Sequence, residues 1–409
     1  MTIPLNKGQA RGVIKDFKLN SLLEITKAIN HNFSTDELLK IFEETLKNHL
    51  NIGRLVLFGF DGSWNCLLTY GPTDGYDSID IERDLVPIKE ISTKTFFSQK
   101  DNSKNFEIII PVYHKSHPLA YLLIGDLDEE KFEVSPTIKH LPFIQTLTNI
   151  IVVAIENKKL AKESILQAGI KKELELASQM QSLLFPSSLP HDEILETSAF
   201  YLPHQEVGGD YYDFIKLNKN EIVFCMADVS GKGVSAALLM SNFQANLRAI
   251  INTTTSLTDL VRELNSKVIA SAKGEKFITF FIAKYNLVTR VLNYVNAAHN
   301  PPLLANGKSV SLLKIGCTGL GMFDELPKIK EGIINITPNT SILCYTDGLV
   351  ELENEKGEDY GIDALKELIK NNMNLGMKEI NQLIIGQLVI YKGKKPYIDD
   401  IALFGCRIF

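Results

Sequence analysis

One segment constrains this chain before any other. From Ser135 to Leu184 the sequence reads as helix, and Pro186 and Pro190 then stop it. Leu147, Ile151, Ala154, Ala161, Ile165 and Ala168 follow helical spacing, and Leu174, Ala177 and Leu184 resume it after a phase shift at Gly169. Charges such as Lys158-Lys159, Lys162-Glu163 and Lys171-Lys172-Glu173 lie between them. This is a coiled-coil-like pattern with a discontinuity. It predicts a helical linker, 141–185, between two globular parts, with Pro142 breaking its first turns. The linker pairs two copies as a parallel dimer. The alternative is a single amphipathic helix packed on its own domain, and a lone exposed helix of that length would be marginal.

The part before the linker reads as α+β. SLLEITKAIN and DELLKIFEETLKNHL are helical, the second announced by Ser34-Thr35-Asp36. RLVLFGFDGSWNCLLTY is two apolar runs around Asp61-Gly62-Ser63, a hairpin signature. Gly71 to Asp101 is turn-rich and irregular. FEIIIPVY and LAYLLIGDL, broken at His114 to Pro118, are a second strand pair. After Pro186 the chain alternates IVFCMADV, FITFFIAKYN, VLNYVNAA, SILCYTD and IALFGCRIF, all strand-like, with two blocks of amphipathic helix. Strands paired through hairpins with helices outside predict a β-sandwich covered by helices.

Composition excludes some functions. Lys plus Arg is 43 and Asp plus Glu is 49, a net charge of -6, which argues against a nucleic-acid binder working by bulk charge. The five cysteines, Cys66, Cys225, Cys317, Cys344 and Cys406, form no CxxC pair, which suits free thiols in a reducing cytoplasm. The N-terminus lacks the apolar core of a signal peptide. No purely apolar run is longer than Ile150 to Ile155, which is too short to span a bilayer. The expectation is a cytoplasmic protein with no membrane and no nucleic-acid partner.

Four acidic motifs mark the C-terminal part: VGGDYYDF with Asp210 and Asp213, MADVSGKG with Asp228, CYTDGLVE with Asp347, and YIDDIALF with Asp399 and Asp400. An aspartate at the margin of a core is costly unless paired, and no Arg or Lys on the same strands offers itself. Carboxylates gathered without basic partners suit hard cations such as Mg²⁺ or Mn²⁺. Any one of them, before a glycine, would pass for a turn residue. Gly231 and Gly233 would let the backbone approach an ion or a phosphate directly after Asp228.

These residues resemble the metal-dependent serine/threonine phosphatases of the PPM family, in the SpoIIE/RsbU-type bacterial branch. The likeness runs from about Ser164 to Phe409 on QMQSLLFPSSLP, EVGGDYYDF, ADVSGKGVSAALLMS, NAAHNPPLL, TGLGMF, YTDGLVE and IDDIALF, in the family's order and spacing. It implies a β-sandwich flanked by helices over 186–409 and two Mn²⁺ or Mg²⁺ ions. Asp210, Asp228, Asp347 and Asp399 would carry the catalytic centre, with the carbonyl of Val229 a further ligand and Asp228 bridging. Asp213 and Asp400 would support the ligands by hydrogen bonds. Ala402 replaces the branch's usual Thr, which loses a hydroxyl near the site. The resemblance leaves the phosphate grip open: Gly231 and Lys232 are candidates, and His299 is a candidate acid for the leaving serine or a histidine capping its turn. Residues 18–140 resemble a GAF sensor domain by element order, with Cys66 and His114 as candidates for holding a cofactor against their default as a buried thiol and a turn histidine. The implied function is hydrolysis of phosphoserine or phosphothreonine on a STAS-type anti-sigma-factor antagonist, in a homodimer formed through linker and GAF domain and regulated by the sensor. Two alternatives compete: a diguanylate-cyclase-like enzyme, because GGDYYDF shares the GGD of that hairpin, and a pseudophosphatase scaffold. The order of the acidic motifs disfavours the first, and the four intact aspartates disfavour the second.

Overall fold

The computed structural model describes residues 7–71, 79–97, 104–125, 136–254, 256–307 and 309–409. The chain divides into two compact units between Gln167 and Ala168.

The first unit opens with helices α1 (Lys7–Asn30) and α2 (Thr35–Glu44), followed by a π-helical turn, Thr45–His49. Ser34 caps α2: its hydroxyl accepts the Glu37 N–H at 3.2 Å while the Glu37 carboxylate accepts the Ser34 N–H at 2.7 Å. Then come β1 (Arg54–Phe60), β2 (Trp64–Tyr70), α3 (Ile81–Asp84), β3 (Ser92–Phe97), β4 (Lys104–His114), β5 (His117–Gly125) and α4 (Pro136–Ser182). The five strands form one antiparallel sheet in the order β2-β1-β5-β4-β3. Alternation sorts its two faces. Leu55 and Leu57 join Phe42, Ile144, Leu147 and Ile151 under the helices, while Val56 and Phe58 join Tyr121 and Leu85 on the other face.

Three expectations change here. Strand β3 lies in the stretch read as irregular, whose residues 72–78 and 98–101 fall outside the described set. Helix α4 runs through Pro142, which sits in its second turn instead of breaking it. Leu147 and Ile151, assigned by spacing to a dimer seam, are 0% exposed in this unit's own core. From about residue 160 onward α4 is exposed, with Leu160, Ile165, Leu166 and Ile170 uncovered. One helix, Thr137–Ser182, is long and apolar enough to cross a membrane by length and composition alone. Its buried Ile144, Leu147 and Ile151 fit a core helix.

The second unit adds β6 (Leu195–Leu202), β7 (Tyr211–Lys216), β8 (Glu221–Val229), α5 (Val234–Ile250), α6 (Leu257–Ala272), β9 (Ile278–Asn286) and β10 (Val291–Ala297). It continues with β11 (Leu303–Asn306), β12 (Ser309–Leu312), β13 (Gly316–Cys317), β14 (Gly332–Asn335), β15 (Thr340–Tyr345), α7 (Asp347–Val350), α8 (Gly361–Asn371), α9 (Met377–Lys392) and β16 (Ile401–Ile408). One sheet is ordered β13-β10-β9-β8-β7, with β14 also on β10; the other is β12-β11-β15-β16-β6. Period-2 alternation explains why β8 and β16 read as unbroken apolar runs: both faces are buried. On β8, Val223, Cys225, Ala227 and Val229 pack toward α5 and α6, while Ile222, Phe224 and Met226 pack between the sheets. On β16, Ala402, Phe404 and Cys406 pack between the sheets, while Ile401 and Leu403 pack toward α8 and α9. The result is a helix–sheet–sheet–helix sandwich.

Candidate metal centre

Strand register brings the acidic motifs to one end of the sandwich. Asp210 immediately precedes β7 and Asp228 lies at the end of β8, where Tyr211 faces Ala227. Asp347 follows β15, and Asp399 and Asp400 precede β16, where Tyr345 faces Leu403. Four segments from two sheets thus deliver Asp210, Asp228, Asp347 and Asp399 to one place, though up to about 190 residues separate them. Burial raises the Asp210 carboxyl well above its usual range, and the neighbouring Asp228 and Asp400 push it further. Asp228 is pushed up to about 7 by burial, then by Asp347, Asp399 and Asp400. Asp347 is raised by burial and by Asp399. A carboxylate cluster that destabilises its own charge is one that a cation would stabilise.

The close approach of these segments rests on glycine. A side chain at Gly348 would run into the backbone carbonyl of Asp400, so only glycine lets the start of α7 lie against the 399–400 segment. At Gly208 a Cβ would meet the Tyr201 hydroxyl and the Asp400 carboxylate. Asp400 itself accepts the N–H of His204 and of Gly209, each at 2.7 Å, and so ties down the loop that carries Asp210. Gln181, in the last turn of α4, accepts the Gly208 N–H at 3.2 Å and donates to its carbonyl at 2.7 Å. QMQSLLFP in the sequence gives no sign of this role, because the partner of Gln181 is a backbone that no spacing rule connects to it. Thr346, hydrogen-bonded to the Asp210 side chain, and Glu351, beside Asp347, also belong to the site.

Other residues depart from expectation. Asp213 is fully buried on the helix side of β7, where Arg248 of α5 grips it with two bonds of 2.7 and 2.8 Å and the Tyr211 hydroxyl donates to it. Lys232 pairs with Asp399 at 2.8 Å. Asp213 and Asp399 therefore do have basic partners, supplied by a helix and a loop and not by their own strands. The side chain of Ala402 packs in the core between the sheets. His299 donates its N–H to Asn296 Oδ1 at 2.8 Å, and its ring contacts Thr279 Oγ1 at 2.8 Å. Burial pushes the ring down to about 3, so it is neutral near pH 7 and holds its turn. The Gly208-Gly209-Asp210 segment leads into β7 from a strand of the other sheet, so it is not the tip of a hairpin. In the first unit, Cys66 is exposed, and His114 ends β4 at the turn.

The donor set fits hard cations: every candidate ligand is an oxygen. Asp210 Oδ2 is buried without a hydrogen-bond partner, as a ligand atom awaiting a cation would be. At Gly209 a Cβ would stand 3.1 Å from the Val229 carbonyl oxygen, so a side chain there would crowd that oxygen. Among the described residues no three such groups close on a single point at ligand distance.

The helix-covered sandwich with an acidic end defines a PP2C-type phosphatase fold. The structure matches the SiaA-PP2C domain of Pseudomonas aeruginosa with a TM-score of 0.55 and 19% identity, covering 60% of this chain and 99% of that one. Residues 218–409, a little under half of the chain, match the family described as stage II sporulation protein E (SpoIIE). Asp228, Asp347 and Asp399 lie inside the matched segment; Asp210 precedes it. Phosphoserine phosphatase RsbU of Bacillus subtilis (strain 168) is 28% identical over 218 residues, 50% of this chain and 65% of that protein. Phosphoserine phosphatase RsbP of the same organism is 25% identical over 186 residues, 44% of this chain and 46% of that protein. The chain thus covers less than two thirds of either relative.

Proposed function

We propose that this chain is a metal-dependent phosphoprotein phosphatase acting on phosphoserine or phosphothreonine. The observation that carries the reading is the convergence of Asp210, Asp228, Asp347 and Asp399 from four strand ends of two sheets, with a buried Asp210 oxygen unpartnered. Two Mn²⁺ or Mg²⁺ ions would be held by these carboxylates and the Val229 carbonyl. When bound, such ions make a water nucleophilic near neutral pH and offset charge on the phosphoryl oxygens. The chain's own task is positioning. Asp400 holds the Asp210 loop, Gly348 admits the 399–400 segment, and Thr346 lies against Asp210 while accepting the Ala402 N–H at 2.9 Å.

The substrate we propose is a phosphorylated STAS-type regulatory protein, on the strength of the likeness to phosphatases of the RsbU and RsbP type. The first unit, residues 18–140, would act as a GAF-like sensor, with α4 conveying its state to the phosphatase domain of a cytoplasmic homodimer. The Gln181–Gly208 bonds support that route, because they join the end of α4 to the Asp210 loop.

The test is phosphate release from a phosphorylated STAS protein with Mn²⁺, comparing wild type with Asp228→Asn. Wild type should release phosphate and the variant should be slower by at least about a hundredfold, the order expected when a metal site is broken. Equal release by both would sink the metal reading. Hydrolysis of small aryl phosphates alone would sink the substrate.

A further inference from the structure

Lys232 stands between Gly231 and Gly233, whose φ angles are 85° and 73°. The segment is fastened on either side. Ser230 exchanges backbone and side-chain bonds of 2.9 Å with Phe277 and its carbonyl accepts the Lys276 ammonium at 2.7 Å, while Gly233 starts α5. Lys232 is therefore the one side chain on a short span with a glycine at each end. Its ammonium lies 2.8 Å from Asp399 Oδ2 and also donates to the Ile398 carbonyl. The two side chains are 42% and 35% exposed.

Asp399 is a carboxylate that a cation at this site would need, and an oxygen held in an ion pair competes with ligation. The competition is winnable. A half-exposed lysine–carboxylate pair is weak, and a lysine ammonium is a compact charge on a flexible stem. Once displaced, that charge would remain beside the site. No arginine lies in the stretch from Tyr201 to Asp210 to grip a phosphoryl group. We propose that Lys232 serves two partners in turn: it is the counter-ion of Asp399 until a divalent cation claims that carboxylate, and its released ammonium then binds a phosphoryl oxygen of the substrate. This rests on the phosphatase reading above.

The test uses the full chain and reads binding, not turnover. Mn²⁺ is titrated in the absence of substrate, with free Mn²⁺ followed by electron paramagnetic resonance, for wild type, Lys232→Gln, Lys232→Arg and Asp228→Asn. Inorganic phosphate is then titrated calorimetrically into the Mn²⁺-loaded forms. Lys232→Gln should bind Mn²⁺ about threefold to fivefold tighter, the worth of losing an exposed competing ion pair. It should bind phosphate about tenfold more weakly, because a charge-assisted bond is gone. Lys232→Arg should keep phosphate affinity within a few-fold. If Lys232→Gln binds Mn²⁺ no more tightly than wild type, or binds phosphate as well, the exchange is overturned. If Asp228→Asn binds Mn²⁺ as wild type does, it is the phosphatase site itself that fails.

Discussion

Asp400 shows how much of a site can rest on a residue that need not touch the reacting atoms. Its two oxygens each accept one backbone N–H, from His204 and Gly209, across nearly 200 residues of sequence. Asp400→Ala leaves the buried Gly209 donor unpaired, at about 1–3 kcal/mol, and turns the N–H of the exposed His204 to water. We expect it to lower stability by about 2 kcal/mol after partial solvation of the loop, and Asp400→Asn, which keeps one acceptor, by about half as much. Urea unfolding followed by circular dichroism measures both, and equal stability of the three proteins would refute the role. Sequence showed that the Asp399-Asp400 pair belonged with the other acids, because the motifs recur at strand ends. It did not show the bond partners, because backbone donors carry no residue signature.

At the scale of elements, the sequence was most legible where periodicity was strongest. Strands β8, β9, β10, β15 and β16 and helices α5, α6, α8 and α9 were all readable, because an apolar run or an amphipathic stripe reports a buried face directly. Strand β7 was hidden inside an acidic motif, and β3 inside a polar, threonine-bearing edge. Cross-element pairing was invisible. Asp213 and Arg248 lie 35 residues apart, on a strand and on the helix packed over it. Arg248→Met would leave a fully buried carboxylate with only Tyr211 and a backbone N–H. Breaking a buried pair costs about 3–5 kcal/mol, and the half-exposed guanidinium places this one near 3. Adding Asp213→Asn should recover more than half, since the unpaired charge is the larger part of the cost. The single tryptophan, Trp64, is in the first unit. The loss should therefore appear in the circular dichroism transition and leave tryptophan fluorescence unchanged; a matching shift in fluorescence would show that the damage is not local to α5 and β7.

At the scale of the whole molecule, α4 poses a problem of burial. Its first half is anchored in a core, but beyond it Leu166 is 65% exposed and Ile170 52%, with Leu160, Ile165, Leu176 and Met180 similarly uncovered. An isolated helical stretch of this kind is marginal in water, since helices in proteins draw most of their stability from packing an apolar face. Leu166 and Ile170 are one turn apart and share a face. A second copy of the same helix offers the matching surface, and the intervening lysines and glutamates give the polar flanks that a coiled coil uses. The chain should therefore sediment as a dimer at micromolar concentration. Leu166→Asp with Ile170→Asp places two charges in that seam and should yield a monomer, with a loss of far-ultraviolet helical signal confined to the exposed part of α4. Phosphate release from a small aryl phosphate separates two consequences. If pairing of α4 positions Gln181 against Gly208, activity should fall with the dimer; if it persists in the monomer, the helix carries assembly alone. A wild-type chain that sediments as a monomer at tens of micromolar, with its helical content intact, would mean that α4 needs no partner and that the exposed stripe has some other cover.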